Sequence, residues 1–132
     1  MRRLSLGLLL IGACVSVPVG RIPRTIQRIG GIYQAWTPEH SRQRDALLAC
    51  VHLQDGAPPP SLWISLAGLV RDDTVLAAYY DGDAHAVVFS PYVHVADYWP
   101  VFRHEILHAS ERTPGHGTRF RRAARCQFWA NP

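Results

Sequence analysis

Asp97-Tyr98-Trp99-Pro100-Val101-Phe102-Arg103-His104-Glu105-Ile106-Leu107-His108-Ala109 is the stretch on which the reading of this 132-residue chain turns. At 100° per residue, Trp99, Phe102, Ile106 and Ala109 fall on one helical face and His104 and His108 on the other. Asp97 is the candidate N-cap, and Pro100 fits within the first turn. The result is a helix with one side for a core and one side for chemistry. Imidazoles at i and i+4 lie one above the other and can close on a single metal ion. Glu105, the next residue round the helix, projects beside them and can take a proton from water. The competing reading is an amphipathic helix with two solvated histidines.

A catalytic zinc site needs a third protein ligand. No Asp or Glu follows Glu111. Glu111 itself stands about 10 Å along the helix from His104, too far to share one tetrahedral ion with it. Thr113-Pro114-Gly115 supplies a chain reversal, and His116 then becomes the candidate ligand, with His94 or Asp97 as alternatives. Tyr79, Tyr80, Tyr92 and Tyr98 are possible hydrogen-bond donors to an oxyanion, although each reads more simply as a half-buried packing residue. Trp36, Trp63, Trp99 and Trp129 read as core or interface residues. His40, His52 and His85 have no partner at useful spacing.

Working outward, Ile32 to Trp36 reads as a short strand. A helix begins at Thr37-Pro38 and runs to about Val51. Asp55 to Pro60 is a loop, because three consecutive prolines suit neither a helix nor a central strand. Leu62 to Leu66 and Thr74 to Tyr80 read as strands. Asp81-Gly82 signals a hairpin, with Ala84 to Ser90 as the returning strand. A last helix runs from about His116 to Phe128. This order gives an α+β domain with a mostly antiparallel sheet, an active-site helix and a following C-terminal helix.

Composition bounds the partners. The formal charge of +4 comes from 14 arginines against 10 acids, with no lysine. Losing Arg2 and Arg3 leaves 12 − 10 = +2, weak support for a polyanionic partner. No nucleic-acid role is expected. The run Arg119, Arg121, Arg122 and Arg125 reads as the solvated face of the last helix. Met1-Arg2-Arg3, the apolar run Leu4 to Ile11 and the small residues Gly12 and Ala13 make residues 1–13 a signal peptide. Ile11-Gly12-Ala13-Cys14 resembles a bacterial lipobox, which implies lipid attachment at Cys14 and a membrane anchor on an exported protein. Ordinary secretion and a retained anchor are the alternatives. Residues 14–30 read as a tether and 31–132 as the folded domain. In an oxidising compartment Cys50 and Cys126 form the remaining even pair, a disulfide or else two buried thiols.

His104-Glu105-Ile106-Leu107-His108, followed by Gly115-His116-Gly117-Thr118-Arg119-Phe120, resembles the zincin metallopeptidases. It is nearest the SprT-like and related minimal forms, although its connector is shorter than in many of them. The resemblance covers positions 104 to 120. It implies zinc held by His104, His108 and His116, Glu105 as general base, and a peptidase acting on proteins or peptides. It also implies that the strand before the active helix, His85 to Ser90, borders the substrate cleft. The alternative is a non-catalytic zinc-binding envelope lipoprotein serving as an assembly or interaction factor.

Overall fold

A computed structural model of the chain describes residues 20–51, 58–113, 115–117, 120–121 and 125–126. The signal segment 1–13 and Cys14 lie outside the described residues. The elements are α1 (Arg24–Ile29), β1 (Gly31–Gln34), α2 (Pro38–Val51), β2 (Ser61–Ser65), β3 (Leu69–Arg71), β4 (Thr74–Leu76), β5 (Ala78–Asp81), β6 (Ala86–Phe89) and α3 (Tyr98–Glu111). Residues 120–121 and 125–126 are helical, on the following C-terminal helix. The domain is α+β. None of its described helices is long and apolar enough to cross a membrane.

Four strands form one sheet in the order β1-β2-β6-β5. Only the β2–β6 pair is parallel; β1–β2 and β5–β6 are antiparallel. Successive side chains on a strand point to opposite faces, and this alternation sorts the core into two layers. Leu62, Ala78, Tyr80, Val87 and Phe89 face α2 and α3, where they meet Leu47, Phe102, Ile106, Leu107 and Ala109. Trp63, Ala86 and Val88 face the other way, towards Ile26 of α1 and Leu69 of β3. All four residues of β6 are therefore buried, and the Ala-Val-Val-Phe run is the continuous apolar pattern of a strand covered on both faces.

His85 to Ser90 consequently lies in the sheet interior, between β2 and β5. The strand at the sheet edge that borders α3 is β5 instead. Sequence order places β6 nearest the helix, but sheet order decides which strand has a free edge.

Three local expectations change. Within the 14–30 tether, Arg24–Ile29 is a helix, ended by Gly30 at φ 80° and packed through Ile26. Six residues are too few for a periodicity to register. Thr74 to Tyr80 is two strands, β4 and β5, parted at Ala77, and β4 pairs with β3 rather than with the main sheet. The β3–β4 turn is Asp72-Asp73, both at positive φ (48° and 60°), as a two-residue hairpin loop requires. Finally, β5 and β6 are joined by a longer loop, closed where Asp81 Oδ1 accepts the Ala84 N–H at 3.0 Å, with the register Asp81↔Ala86.

Two buried polar links lock α2 to the rest. His40, read as having no role, is 3% exposed and binds Thr37 Oγ1 through Nδ1 (2.7 Å) and Tyr98 Oη through Nε2 (2.8 Å). Arg103, also 3% exposed, donates to Gln43 Oε1 at 2.8 Å. Cys50 and Cys126 are bonded, closing 76 residues of chain. A loop of that length implies about 4–5 kcal/mol in the chain-entropy account of disulfides. Replacing both cysteines by serine should lower the unfolding free energy by about 4 kcal/mol, read from urea midpoints. An unchanged midpoint would show that the bridge does not constrain the unfolded chain.

Candidate metal centre

The helix that presents the histidines starts differently from its sequence signal. Asp97 occupies the N-cap position without capping through its side chain. A 3-10 turn, Val95–Asp97, precedes it, and His94 Nδ1 accepts the Ala96 N–H at 3.2 Å. His94 and Asp97 thus stand at the helix entry, and neither joins the histidine cluster.

The end of α3 does more for the site. Arg112 adopts the left-handed conformation (φ 52°, ψ 39°); its N–H bonds back to Ala109 O, and the Thr113 N–H bonds to His108 O at 3.2 Å. This is a Schellman stop with arginine in the glycine position. It turns the Thr113 carbonyl onto His108 Nδ1, 2.8 Å away. A carbonyl only accepts, so Nδ1 carries the hydrogen and Nε2 keeps its lone pair.

That lone pair has company. His108 Nε2 lies 3.2 Å from His104 Nε2 and 3.1 Å from His116 Nε2, and the third side of the triangle is 3.2 Å. Bonds of 2.0–2.1 Å at tetrahedral angles place ligand nitrogens about 3.3 Å apart, so the three imidazoles fit one ion. Among the described residues these three form the group able to hold a metal. Phe120 floors them: its ring lies 4.3 Å from His108, 4.6 Å from His116 and 5.1 Å from His104, centroid to centroid. It is 4% exposed. The sequence pattern contained this residue but offered no reason for it; the reason is ring orientation.

Glu105 faces a cleft of about 170 Å³ that it shares with the three histidines, Tyr80 and Arg71. Burial pushes its carboxyl up from 4.5 to about 7, against the Tyr80 backbone N–H and the charge of Arg71. Burial also lowers His108 from 6.5 to about 4, against the pull of the Thr113 carbonyl and with the two neighbouring histidines adding to the drop. A neutral ring is the form that ligates.

The tyrosines do other work. Tyr98 Oη bonds to His40 and Gln34, Tyr79 Oη to Thr25 and Tyr80 Oη to His85. Tyr92 is exposed, away from the cleft. Arg71 and Leu76, from the β3–β4 hairpin, also line the cleft. Sequence reasoning misses both, because it assigns no element to Leu69–Arg71 and merges β4 into a longer strand from Thr74 to Tyr80. Arg121 and Arg125 of the basic run are exposed.

No protein-family model, curated protein or solved structure matches the chain.

The two shifted groups give opposite pH dependences to the metal-free protein. The raised Glu105 value contributes stability fully below pH 4.5, and that contribution is lost as pH rises through about 7. The lowered His108 value contributes stability above pH 6.5 that is lost as pH falls through about 4. Comparing the native chain with Glu105→Gln cancels the histidine and isolates the carboxyl. Between pH 5 and pH 8 the glutamine variant should gain about 2–3 kcal/mol relative to the native chain in urea titrations after chelation. A difference independent of pH would mean that the carboxyl is solvated.

Proposed function

We propose that this chain is a zinc-dependent metallopeptidase that hydrolyses peptide bonds outside the cytoplasm. The observation that carries the reading is the triangle of imidazole nitrogens with Glu105 lining the same cleft. Three protein ligands are the number used by catalytic zinc, whereas structural zinc takes four. The resemblance of residues 104 to 120 to the zincins supports the same assignment.

His104, His108 and His116 would hold zinc, which when bound supplies Lewis acidity towards a carbonyl and towards water. Glu105 takes a proton from the attacking water as the oxygen bonds to the scissile carbon. It then delivers that proton to the leaving amine nitrogen as the C–N bond breaks. A cleft of about 170 Å³ is smaller than the several hundred cubic ångströms that enclose a whole small ligand. It suits one group of an extended chain lying across the surface. Phe120 and the Thr113 carbonyl fix the rings and so the direction in which the ligand nitrogens point.

The smallness of the cleft also favours a second reading, a non-catalytic zinc-binding envelope lipoprotein that assists assembly. Chelation distinguishes the two. An enzyme loses hydrolysis while keeping its fold, and a structural site loses the fold itself. The signal-like N-terminus and Cys14 support a lipid anchor at a membrane for either protein, testable as a lipid mass on an N-terminal Cys14.

Zinc-loaded protein should cut denatured protein or isolated cell wall, and comparing these two substrates identifies the bond. Glu105→Gln should retain one equivalent of zinc and lose about 10²–10⁴-fold in kcat, measured by mass spectrometry of the products. Full activity in that variant would remove Glu105 from the mechanism, and an inert native protein would leave the second reading.

A further inference from the structure

A second cavity, of about 270 Å³, adjoins the metal cleft and shares Arg71, Leu76 and Tyr79 with it. Its remaining polar lining includes Thr25 and Arg28 of α1. Its charge is one-sided, with two guanidinium groups and no carboxylate in the lining. No described carboxylate stands within ion-pair distance of Arg28 or Arg71. The nearby acids stand outside its lining: Glu105 faces the metal cleft, where it feels the Arg71 charge, Asp72 and Asp73 form the hairpin turn, and Asp81 is engaged by Ala84.

The arrangement is held in place. Tyr79 Oη donates to Thr25 Oγ1 at 2.7 Å, which ties β5 to α1. The Arg71 guanidinium lies over the Tyr79 ring, 5.2 Å from its centroid, a stacking that arginine favours. Ile29, Leu76 and Tyr79 pack against the core layer that contains Ile26 and Leu69, and this packing brings α1 and the hairpin together. Two cations facing one cavity repel unless an anion lies between them. Guanidinium forks suit the two oxygens of a carboxylate.

We propose that this cavity is a carboxylate-recognition subsite, in which Arg28 and Arg71 hold a negative group of the peptide whose scissile bond lies in the metal cleft. The group is either the C-terminal carboxylate or an Asp or Glu side chain. The proposal rests on the peptidase reading of the neighbouring cleft, and it makes that enzyme selective for acidic or C-terminal segments. Arg28 and Arg71 are specificity residues and take no part in bond cleavage.

The test is binding rather than turnover. The full chain, zinc-loaded and separately stripped with chelator and dialysed, is titrated by calorimetry or NMR with two probe pairs. Acetyl-dialanine against its amide reports a C-terminal carboxylate. Acetyl-alanyl-glutamate amide against the glutamine analogue reports an acidic side chain. At least one charged probe should bind about ten- to hundredfold tighter than its neutral partner in both metal states. Arg28→Met and Arg71→Met should each shrink that ratio, and together bring it to about one. In the unmodified chain, 0.5 M salt should shrink it without any substitution.

Equal binding of charged and neutral probes would overturn the subsite. So would a preference that disappears with the zinc and survives in the double variant, which would assign the carboxylate to the metal. Absence of any hydrolysis would sink the peptidase reading while leaving these ratios intact, so the two failures are distinct.

Discussion

Three imidazole nitrogens held 3.1–3.2 Å apart cannot satisfy one another by hydrogen bonding alone. A neutral imidazole has a single N–H, and His108 spends its own on the Thr113 carbonyl. At least one lone pair therefore points into the triangle. A divalent cation accepts such lone pairs, and the spacing suits its bond lengths. The rest of the site supports this constraint. Phe120 sets the tilt of the rings, and the left-handed turn at Arg112 sends the chain back from α3 towards His116.

The fold keeps that triangle rigid by burying what surrounds it. Phe102, Ile106 and Leu107 of α3 have no exposed surface, and neither has Val87 of the strand beneath them. Fully burying one such side chain contributes roughly 1.5–3 kcal/mol, so the back of the helix is anchored while its histidine face meets the cleft. The His40–Tyr98 and Gln43–Arg103 bonds fix α2 against the same helix. The disulfide joins α2 to the segment after His116. The helical segment that follows the third histidine is thereby covalently tied to the core cluster that also contains Phe120.

Legibility followed the range of the interaction. The helix carrying His104, Glu105 and His108, its buried stripe, the start of α2 at Pro38 and the Cys50–Cys126 pair all rest on local periodicity, a proline or cysteine parity. These survive in sequence. Strand order does not: placing β6 inside and β5 at the edge depends on the parallel pairing of β2 with β6, a contact between segments far apart in the chain. The β3–β4 hairpin was hidden because Asp72-Asp73 is a weaker turn signal than the Asp81-Gly82 pair beyond it, which in fact opens into a longer loop. Arg71 was lost with it. The reach of His116 into the site was inferred from the Pro-Gly reversal, whereas the turn begins two residues earlier, at Arg112. Nothing in local sequence announced that His40 would be buried, because its partner Tyr98 is distant along the chain.

Zinc X-ray absorption on the full chain tests the triangle most directly, in parallel with metal stoichiometry. One equivalent of zinc with three imidazole nitrogens at about 2.0–2.1 Å and a light fourth neighbour is the expected shell, falling to two imidazoles in His116→Ala. A shell in the native chain with fewer than three imidazoles, or one unchanged by that substitution, would contradict it.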